Sequence, residues 1–497
     1  MKVTGNILLE KANRYIEQNK RKINKRYRNH YHLMAPVGWI NDPNGFIYFK
    51  GEYHVFYQHY PYDSKWGPMY WGHSKSKNLI DWEELPVALA PDQEYDKDGC
   101  FSGSAIEKDG LLYLFYTGHV IKDGKTYQTQ CVAVSEDGVN FEKHSKNPII
   151  DSKNLGDKGN IHDFRDPKVI KQGNFYYMIV ATRTNNNEGR ILMYRSENLL
   201  DWAFYSILLH GEKNQGVMWE CPDLFHLDGE DVLIMSPIQI KQNGLEYHNI
   251  SSTMACIGKM DWDSGKLDVH TFHEMDFGFD FYAPQTTLDH KNRRIMIAWM
   301  QMWDRNMPTN DLGHHWAGSM SLPRELHIKD RKLIQKPISD YYGQLEYLYG
   351  SENIRVDNKP VTFHKLVREN TYMHLVVDLS KTTLFNIYFA KSTTESLLFS
   401  YNSDTSEFTL SREKIGYLMK GAEVKPLNKR SVKVPLIDNQ LVLEIFRDTS
   451  SIEVFINGVE TMTSTFYETQ KGEDISFVAS ESAIIGSFEI AQIKVSS

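Results

Sequence analysis

The sequence is poor in cysteine, in positive charge and in long apolar runs, and each shortage excludes a class of protein. Its 497 residues include only four cysteines, at positions 100, 131, 221 and 256, and no CxxC pair. A disulfide scaffold is therefore excluded, and we expect a reducing, cytoplasmic compartment. The net charge of −8 argues against nucleic acid as a partner. No stretch reaches the length of a membrane span or of a signal-peptide core, so no membrane partner is expected.

The first residues carry many Lys and Arg side chains and one weak apolar periodicity. Leu8, Leu9, Ala12 and Ile16 recur at roughly helical spacing. This pattern predicts an N-terminal helical extension over residues 1–24, solvated except along one apolar edge.

Aromatic residues make up 12% of the chain, which favours β-structure, and the β-rich part repeats itself. Similar segments at 76–82, 135–141 and 196–202 end in an aromatic residue, and a looser copy ends at Trp262. Short β-like runs recur with the same period of about 60 residues and most follow a Gly or Asn turn; they lie at 53–57, 112–116, 175–179, 232–236 and 295–299.

A third series lies shortly before each run and is rich in proline, glycine and acids. Its members are Asp42-Pro43-Asn44-Gly45, Ser102-Gly103-Ser104, Arg165-Asp166-Pro167, Glu220-Cys221-Pro222 and Tyr282-Ala283-Pro284. Five copies with several strands each predict an all-β protein that begins with a five-bladed β-propeller over residues 25–335. Alternating apolar residues after a linker at 336–352 predict a C-terminal β-sandwich over residues 353–497.

Because the first strand of a propeller blade lies nearest the axis, Asp42, Asp166 and Glu220 are expected to face one central pocket. Each acid alone is best explained as a turn or an ion pair, whereas three at matching positions favour function. Two carboxylates can cleave a glycosidic bond when one is ionised and the other protonated. Amide donors of Asn41 and Asn44 favour the ionised form of Asp42.

The sequence neighbours of the other two acids suggest different tasks. Glu220 lies between Trp219 and Cys221-Pro222, and this apolar setting suits a protonated general acid/base. Asp166 follows Arg165 and is expected to remain ionised, to bind sugar hydroxyls and to steady a developing positive charge.

The motifs at 39–45, 164–167 and 220–222 resemble, in order and separation, the three motifs of glycoside hydrolase family 32, the invertases, sucrose-6-phosphate hydrolases, inulinases and levanases. The resemblance implies a five-bladed propeller with a C-terminal sandwich and a retaining mechanism without metal or other cofactor. It implies that Asp42 is the nucleophile, Glu220 the acid/base and Asp166 the transition-state stabiliser. Further residues match positions that line the fructose pocket in the family: Asn41, Gln58, Trp66, Phe101, Ser102, Arg165, Tyr282 and Trp299.

The expected activity is that of a β-fructofuranosidase acting on sucrose or sucrose 6-phosphate, in a monomer or a homodimer. The alternatives are an exo-acting hydrolase of fructans or fructo-oligosaccharides and a sugar-binding propeller without turnover. No phosphate-binding glycine loop occurs. The candidate phosphate contacts, each more readily explained as a solvated loop residue, are His59, Lys65, Arg305, His314 and His315.

Overall fold

The structure, a computed structural model, describes residues 6–422 and 427–495 and consists almost wholly of strands. Helix α1 (Ile7–Asn19) begins at Asn6, whose side chain accepts the backbone N–H groups of Leu8 and Leu9. Ala12 and Ile16 are buried, so one edge of α1 packs against the protein as predicted. Residues 1–5 of the predicted extension lie outside the described residues. No helix of the described ranges is long and apolar enough to cross a membrane.

Residues 38–337, the five-sheet region, contain five antiparallel sheets in chain order. The first sheet is formed by β1 (Gly38–Phe49), β2 (Glu52–Tyr60), β3 (Tyr70–Ser76) and β4 (Glu83–Leu89). The second is formed by β5 (Gly99–Lys108), β6 (Leu111–Lys122), β7 (Lys125–Ser135) and β8 (Glu142–Lys143). After α2 (Ser152–Leu155), the third is formed by β9 (Phe164–Gln172), β10 (Phe175–Arg183), β11 (Gly189–Ser196) and β12 (Ala203–His210).

The fourth sheet is formed by β13 (Gln215–Leu227), β14 (Glu230–Ile240), β15 (Met254–Asp261) and β16 (Lys266–Glu274). The remaining elements are β17 (Tyr282–Leu288), β18 (Arg294–Trp299), α3 (Pro308–Asp311), β19 (Trp316–Ala317), β20 (Arg324–Lys329) and β21 (Lys332–Pro337). All of these strands form the fifth sheet except β19, which pairs in parallel with β1 of the first sheet. The five β-like runs predicted from the sequence all lie in the second strands β2, β6, β10, β14 and β18.

The sheets follow one another around a common axis. The first strand of each sheet contacts the first strand of the next, and β17 of the fifth sheet contacts β1 of the first. This ring of sheets is the arrangement of a β-propeller. Between neighbouring sheets lie separate apolar clusters, for example around Met178 and Leu192 and around Leu233 and Cys256.

The repeated segments seen in the sequence form the same turn after the third strands of three sheets. The hydroxyl oxygens of Ser76, Ser135 and Ser196 accept a backbone N–H three residues on, at 2.8, 2.8 and 3.0 Å. The residue that donates has a positive φ in each turn, at Leu79, Gly138 and Leu199. The internal repeat is therefore a repeat of backbone geometry as well as of sequence.

After a 3₁₀ helix (Ser339–Gln344), the chain enters the two-sheet region, residues 345–493. Its strands are β22 (Leu345–Val356), β23 (Val361–Phe363), β24 (Thr371–Asp378), β25 (Leu384–Lys391), β26 (Leu397–Asn402), β27 (Glu407–Ser411), β28 (Lys429–Lys433), β29 (Gln440–Asp448), β30 (Ser451–Ile456), β31 (Glu460–Thr465), β32 (Asp474–Ala479) and β33 (Ala483–Ile493).

The two six-stranded sheets, ordered β22-β33-β24-β29-β30-β31 and β23-β32-β25-β26-β27-β28, enclose one large apolar cluster as a β-sandwich. The predicted linker at 336–352 is shorter in the structure. β22 already begins at Leu345, because it hydrogen-bonds along its length to β33 even though most of its side chains are exposed.

Buried charges join the two regions. Arg324 of β20 donates through Nε to Glu453 of β30 at 3.0 Å. His32, which precedes β1, lies between Asp448 and Glu453, with ring nitrogens 2.8 and 3.0 Å from their carboxylates. Burial alone would lower the pKa of His32, but these two hydrogen bonds and charges raise it to about 9. Hydrogen bonds and ion pairs from His32 and Arg324 to Asp448 and Glu453 thus join the sandwich to the five-sheet region.

Candidate active site

A β-bulge interrupts the first strand of every sheet in the five-sheet region at the same level. The register against the second strand shifts between Ile40 and Pro43, Phe101 and Gly103, Arg165 and Lys168, Glu220 and Asp223, and Tyr282 and Gln285. A bulge adds an unpaired residue and re-aims the side chains around it. It also explains the prolines at 43, 167, 222 and 284, since a proline has no N–H to lose from the ladder.

Four of the bulges place an N–H toward the axis, and a side chain from the preceding sheet accepts it in each case. The N–H groups of Gly103, Asp166 and Ala283 bond to Asn44, Thr117 and Ser236 at 3.3, 3.0 and 3.1 Å. The fourth, that of Cys221, bonds to Asp166 Oδ2 at 2.9 Å. Buried N–H groups need partners, so these bonds fix each inner strand to its neighbour. Asp166, Cys221 and Ala283 all have a positive φ near 50–65°.

The bulges converge on one cavity of about 520 Å³ at the centre of the ring. Most residues predicted for the site line it: Asn41, Asp42, Gln58, Trp66, Phe101, Ser102, Arg165, Asp166 and Glu220. The three acids come from β1, β9 and β13, that is, from the first, third and fourth sheets. Trp66 is 47% exposed and stands edge-on to Phe101, so it marks the mouth of the cavity.

Asp42 is oriented from both sides. Ser102 donates its hydroxyl to Oδ2 at 2.7 Å, and Asn41 donates its amide to Oδ1 at 3.0 Å. The Asn41 amide is itself fixed, because Trp39 Nε1–H donates to its oxygen at 2.6 Å. Burial raises the pKa of Asp42, the Ser102 hydrogen bond opposes this change, and the charge of Glu220 adds to it. Of the two predicted amide contacts, the one from Asn41 exists, whereas the Asn44 amide nitrogen has no hydrogen-bond partner among the described residues and its oxygen accepts from Gly103. Burial outweighs the Asn41 contact.

Asp166 is buried beside Arg165 and interacts with the charges of three neighbours, Arg165, Glu220 and Asp42. Burial raises the pKa of Asp166; Arg165 opposes this rise, and the charges of Glu220 and Asp42 reinforce it. Burial and the two neighbouring carboxylates thus oppose the ionised form that the sequence predicts for Asp166, and Arg165 favours it. The neighbouring guanidinium, predicted to stabilise Asp166, lies 4.0 Å from it and contacts Glu220 more closely.

Glu220 has polar neighbours instead of the apolar setting that its sequence suggests. Arg165 donates to Oε1 through Nε and Nη2 at 2.9 and 2.7 Å, and the Tyr282 hydroxyl donates to Oε2 at 2.5 Å. Trp219 points away, since its Nε1–H bonds to the Gln215 carbonyl. Successive side chains of a strand face opposite ways, which separates Glu220 from the residue before it. Both oxygens of the Glu220 carboxylate are thus held in place.

Two predicted wall residues lie behind the surface of the cavity. Tyr282 is fully buried and reaches the site only through its hydroxyl on Glu220. Trp299 is fully buried on β18, opposite Tyr282, and packs on Trp39 and Trp303. Trp303 lines the cavity in its place. Trp299 packs against these rings and does not line the cavity itself, so its predicted place in the cavity wall is not observed.

The structure adds residues that carried no motif. His119 lines the cavity and stacks on Phe101 with ring centroids 3.9 Å apart. Burial and the charge of Arg165 lower the pKa of His119 to about 4, so it is neutral at pH 7. Gln128 accepts Arg165 Nη1 and the N–H of Phe164 at 3.3 and 2.9 Å. His119 lies on β6 and Gln128 on β7. The alternation of polar and apolar residues along a strand does not distinguish such residues from other polar ones.

None of the five candidate phosphate contacts lines the cavity within the described ranges. His59 is buried and donates Nδ1–H to the Trp39 carbonyl, and His314 stacks on Tyr27. Arg305 is buried and bonded to Asn249 and Asp280. Lys65 and His315 are surface residues outside the cavity.

Comparison with known proteins identifies the family of this chain. The model of the glycosyl hydrolases family 32 N-terminal domain matches residues 32–337, and that of the family's C-terminal domain matches residues 345–497. The chain belongs to glycosyl hydrolase family 32.

Curated family 32 relatives match along most of their length. A protein named sucrose-6-phosphate hydrolase from Zymomonas mobilis is 37% identical over 467 residues, covering 89% of this chain and 86% of the relative. One of the same name from Bacillus subtilis is 37% identical, covering 89% of each chain. A raffinose invertase from Escherichia coli is 36% identical over 463 residues, covering 90% of this chain and 91% of its own. The chain is therefore a glycoside hydrolase.

Solved family 32 structures share the whole fold. A β-fructofuranosidase from Bombyx mori superposes with a TM-score of 0.83 at 32% identity, covering 98% of each chain. A sucrose-6-phosphate hydrolase from Lactobacillus gasseri superposes with a TM-score of 0.86 at 26% identity, covering 97% of this chain and 96% of its own.

Proposed function

We propose that the protein is a β-fructofuranosidase that releases fructose from sucrose or sucrose 6-phosphate by double displacement with retention. Asp42 is the nucleophile, Glu220 the acid/base, and Asp166 binds fructose hydroxyls and balances charge in the transition state. The observation that carries the proposal is the convergence of three carboxylates from three equivalent bulges on one cavity. The names of the relatives, sucrose-6-phosphate hydrolase and raffinose invertase, support the substrate class.

The contacts of each acid fit its proposed part. Asp42 accepts one hydrogen bond on each carboxylate oxygen, which fixes the orientation of the group for attack on the anomeric carbon. As general acid, Glu220 gives a proton to the glycosidic oxygen, and as general base it later takes one from the attacking water; Tyr282 and Arg165 fix its direction. Asn41, Gln58, Trp66, Phe101, Ser102 and Arg165 line the same cavity and are proposed to bind the fructosyl unit. Aromatic faces suit the C–H surface of the sugar.

Stereochemistry tests the mechanism directly. Retaining glycosidases hold their two carboxyl groups about 5–5.5 Å apart, which leaves no room for a water behind the sugar. With sucrose in methanol–water, we expect methyl β-fructofuranoside, identified by NMR before free fructose equilibrates. Release of the α-anomer of fructose without any methyl fructoside would contradict double displacement. Asp42→Asn treated alike is the matched control and should yield neither product.

We further propose that the five sheets are the five blades of the propeller, that residues 25–335 form the catalytic domain, and that the sandwich follows as a second domain. The closed sequence of contacts from β1 through β17 and back to β1 supports the blade count. Limited proteolysis tests the division, because cleavage is expected between Pro337 and Leu345 before it occurs in either sheet region.

A reducing, cytoplasmic location is proposed on the state of the thiols. All four cysteines are buried and free. We expect four thiols to titrate in denaturant without reductant; two or fewer would indicate disulfides and an oxidising compartment.

A further inference from the structure

The part of the cavity wall that lies outside the three acids determines which leaving group, glucose or glucose 6-phosphate, the cavity can accept. Its outer lining consists of Ile121, Thr126, His162 and Asp163 on one side and of Gln239, Ile250, Trp303 and Asp304 on the other. Ile121 is 51% exposed and Asp304 is exposed, which places them at the mouth. A glucosyl group bonded to fructose at the floor of the cavity must lie among these side chains. Most of them are neutral, and the charged ones are acids.

The whole lining carries five carboxylates, of Asp42, Asp163, Asp166, Glu220 and Asp304, against one guanidinium, of Arg165. Arg165 is already committed: it bonds to Glu220 at 2.7 Å and to Asp163 at 3.0 Å. A second guanidinium, that of Arg183, does not line the cavity; it lies 2.6 Å from Asp163 and is hydrogen-bonded to Asn187. Among the described residues, the lining itself therefore offers no Lys or Arg side chain that lacks an acid partner.

The lysines of the β6–β7 hairpin do not change this balance. Lys122 and Lys125 pair across the hairpin, next to Ile121 and Thr126, which also pair with each other. Successive side chains of a strand face opposite sides. Because Ile121 and Thr126 face the cavity, Lys122 and Lys125 face the other side of the ribbon.

A phosphoryl group near pH 7 carries about −1.5 to −2 charges and is normally bound by Arg or Lys. We infer that this enzyme selects an uncharged leaving group, so that it cleaves sucrose in preference to sucrose 6-phosphate, with Asp304 as the residue at the mouth that disfavours the phosphoryl group. This inference rests on the proposed function and narrows its substrate class.

Asp304 suits that role by its position and conformation. It is exposed at the rim with φ of 57°, in the turn that follows Trp303. It adds a negative charge to a lining that already holds four other carboxylates. A carboxylate accepts hydrogen bonds from sugar hydroxyls and repels a dianion.

The experiment measures kcat/KM for sucrose and for sucrose 6-phosphate with the full chain at low ionic strength. We expect sucrose to be favoured at least about tenfold, which corresponds to about 1.4 kcal/mol. Raising the ionic strength from about 0.01 M to 0.15 M shortens the range of surface charge interactions and should narrow that ratio. A ratio set by steric fit alone would not respond to salt.

Three variants sharpen the test. Asp304→Asn should lower the sucrose preference by about threefold and Asp304→Lys further, because each step removes or reverses one charge at the rim. Asp404→Asn, which removes an exposed charge of the sandwich, should leave the ratio unchanged. Equal efficiency on both sugars, a preference for sucrose 6-phosphate, or a ratio unmoved by Asp304→Lys would each overturn the inference. Absence of turnover on both sugars would instead contradict the proposed function.

Discussion

The five-sheet and two-sheet regions both consist mainly of antiparallel strands, yet they differ in what the strands enclose: a polar cavity in the first region and an apolar cluster in the second. All five inner strands of the ring are bulged at one level and bring buried polar groups to the axis. The sandwich has register shifts as well, for example between β24 and β33, but its two sheets enclose an apolar cluster. The inner strands of the ring differ in that their shifts recur at one level and surround the polar cavity. The comparison implies that substitutions in the two regions should separate activity from stability.

The largest effect is expected at the bulge of β1. Asp42→Asn should lower kcat at least about a thousandfold, because an amide cannot form the glycosyl ester. The fold should persist, since the amide can keep the hydrogen bond from Ser102. Sucrose turnover and the melting temperature are the measurements. A variant that retains a tenth of the wild-type rate would refute the assignment of the nucleophile.

The second effect depends on the leaving group. Glu220→Gln should slow sucrose hydrolysis by about 10²–10⁴-fold, the range of general acid catalysis. It should slow fructosyl-enzyme formation from an activated aryl fructoside by less than about tenfold, because that group departs without a proton. Burst kinetics isolate this step. Equal losses on the two substrates would remove Glu220 from the acid role. Tyr282→Phe is the matched control, since it keeps the acid and removes only one of its contacts.

The third effect belongs to the sandwich. Phe477 is fully buried and stacks on Phe385 in the apolar cluster. Phe477→Ala should cost about 3–5 kcal/mol of the free energy of unfolding of this region. Because Phe477 is far from the cavity, kcat of the protein that remains folded should equal that of wild type. Chemical denaturation with an activity assay on the same samples checks both. A large fall in kcat in samples that are fully folded would contradict the view that the sandwich contributes to stability and not to catalysis. Phe477→Leu should lose much less stability.

The smallest effect concerns the free energy of unfolding that the protein loses when buried Asp166 is ionised. Burial raises the pKa of Asp166 in the folded chain above the ordinary value of about 3.9. The folded state then binds more protons than the unfolded state, so the stability that this group contributes falls as pH rises from about 4 toward neutral. Asp166→Asn should therefore be more stable than wild type at pH 8, by an amount on the order of 1 kcal/mol.

At pH 3.5 the two proteins should unfold nearly alike, because Asp166 is then protonated in the folded state and largely protonated in the unfolded state. Denaturant titrations at the two pH values provide the measurement. A stabilisation of the same size at both pH values would show that titration of the carboxyl is not its cause. Asp404→Asn, at an exposed site, serves as the control and should show no such pH dependence.

Much of this arrangement could be predicted from the sequence, because a repeat of about 60 residues fixes both strand order and which strand is innermost. It placed Asp42, Asp166 and Glu220 at equivalent points and hence in one pocket. The repeat does not predict which side chains of second strands, third strands and loops reach the three acids. His119, Gln128 and Trp303 come from second and third strands or from a loop, and nothing in their spacing distinguishes them from packing residues. Trp299 was mistaken for a wall residue for the same reason.

The charge state of the acids was also beyond the sequence. The residue next to Glu220 in the chain, Trp219, faces away from it, while Arg165 from another sheet holds its carboxylate. The pKa values of Asp42 and Asp166 are raised by their burial and by the charge of Glu220, which belongs to another sheet.

The parallel pairing of β19 with β1 has a consequence for how the protein is made. The strand that carries Asp42 leaves the ribosome before Trp316 and Ala317, which pair with Gly38 and Trp39 and are translated only after the other inner strands. Until then these two residues of β1 lack their parallel partner and are open to other chains. Closing a ring from such distant segments is a slow step, since their entropy must be lost before the contacts form. A nascent chain stalled before residue 316 should therefore be inactive and dependent on chaperones, and the finished ring should form in one late, cooperative event.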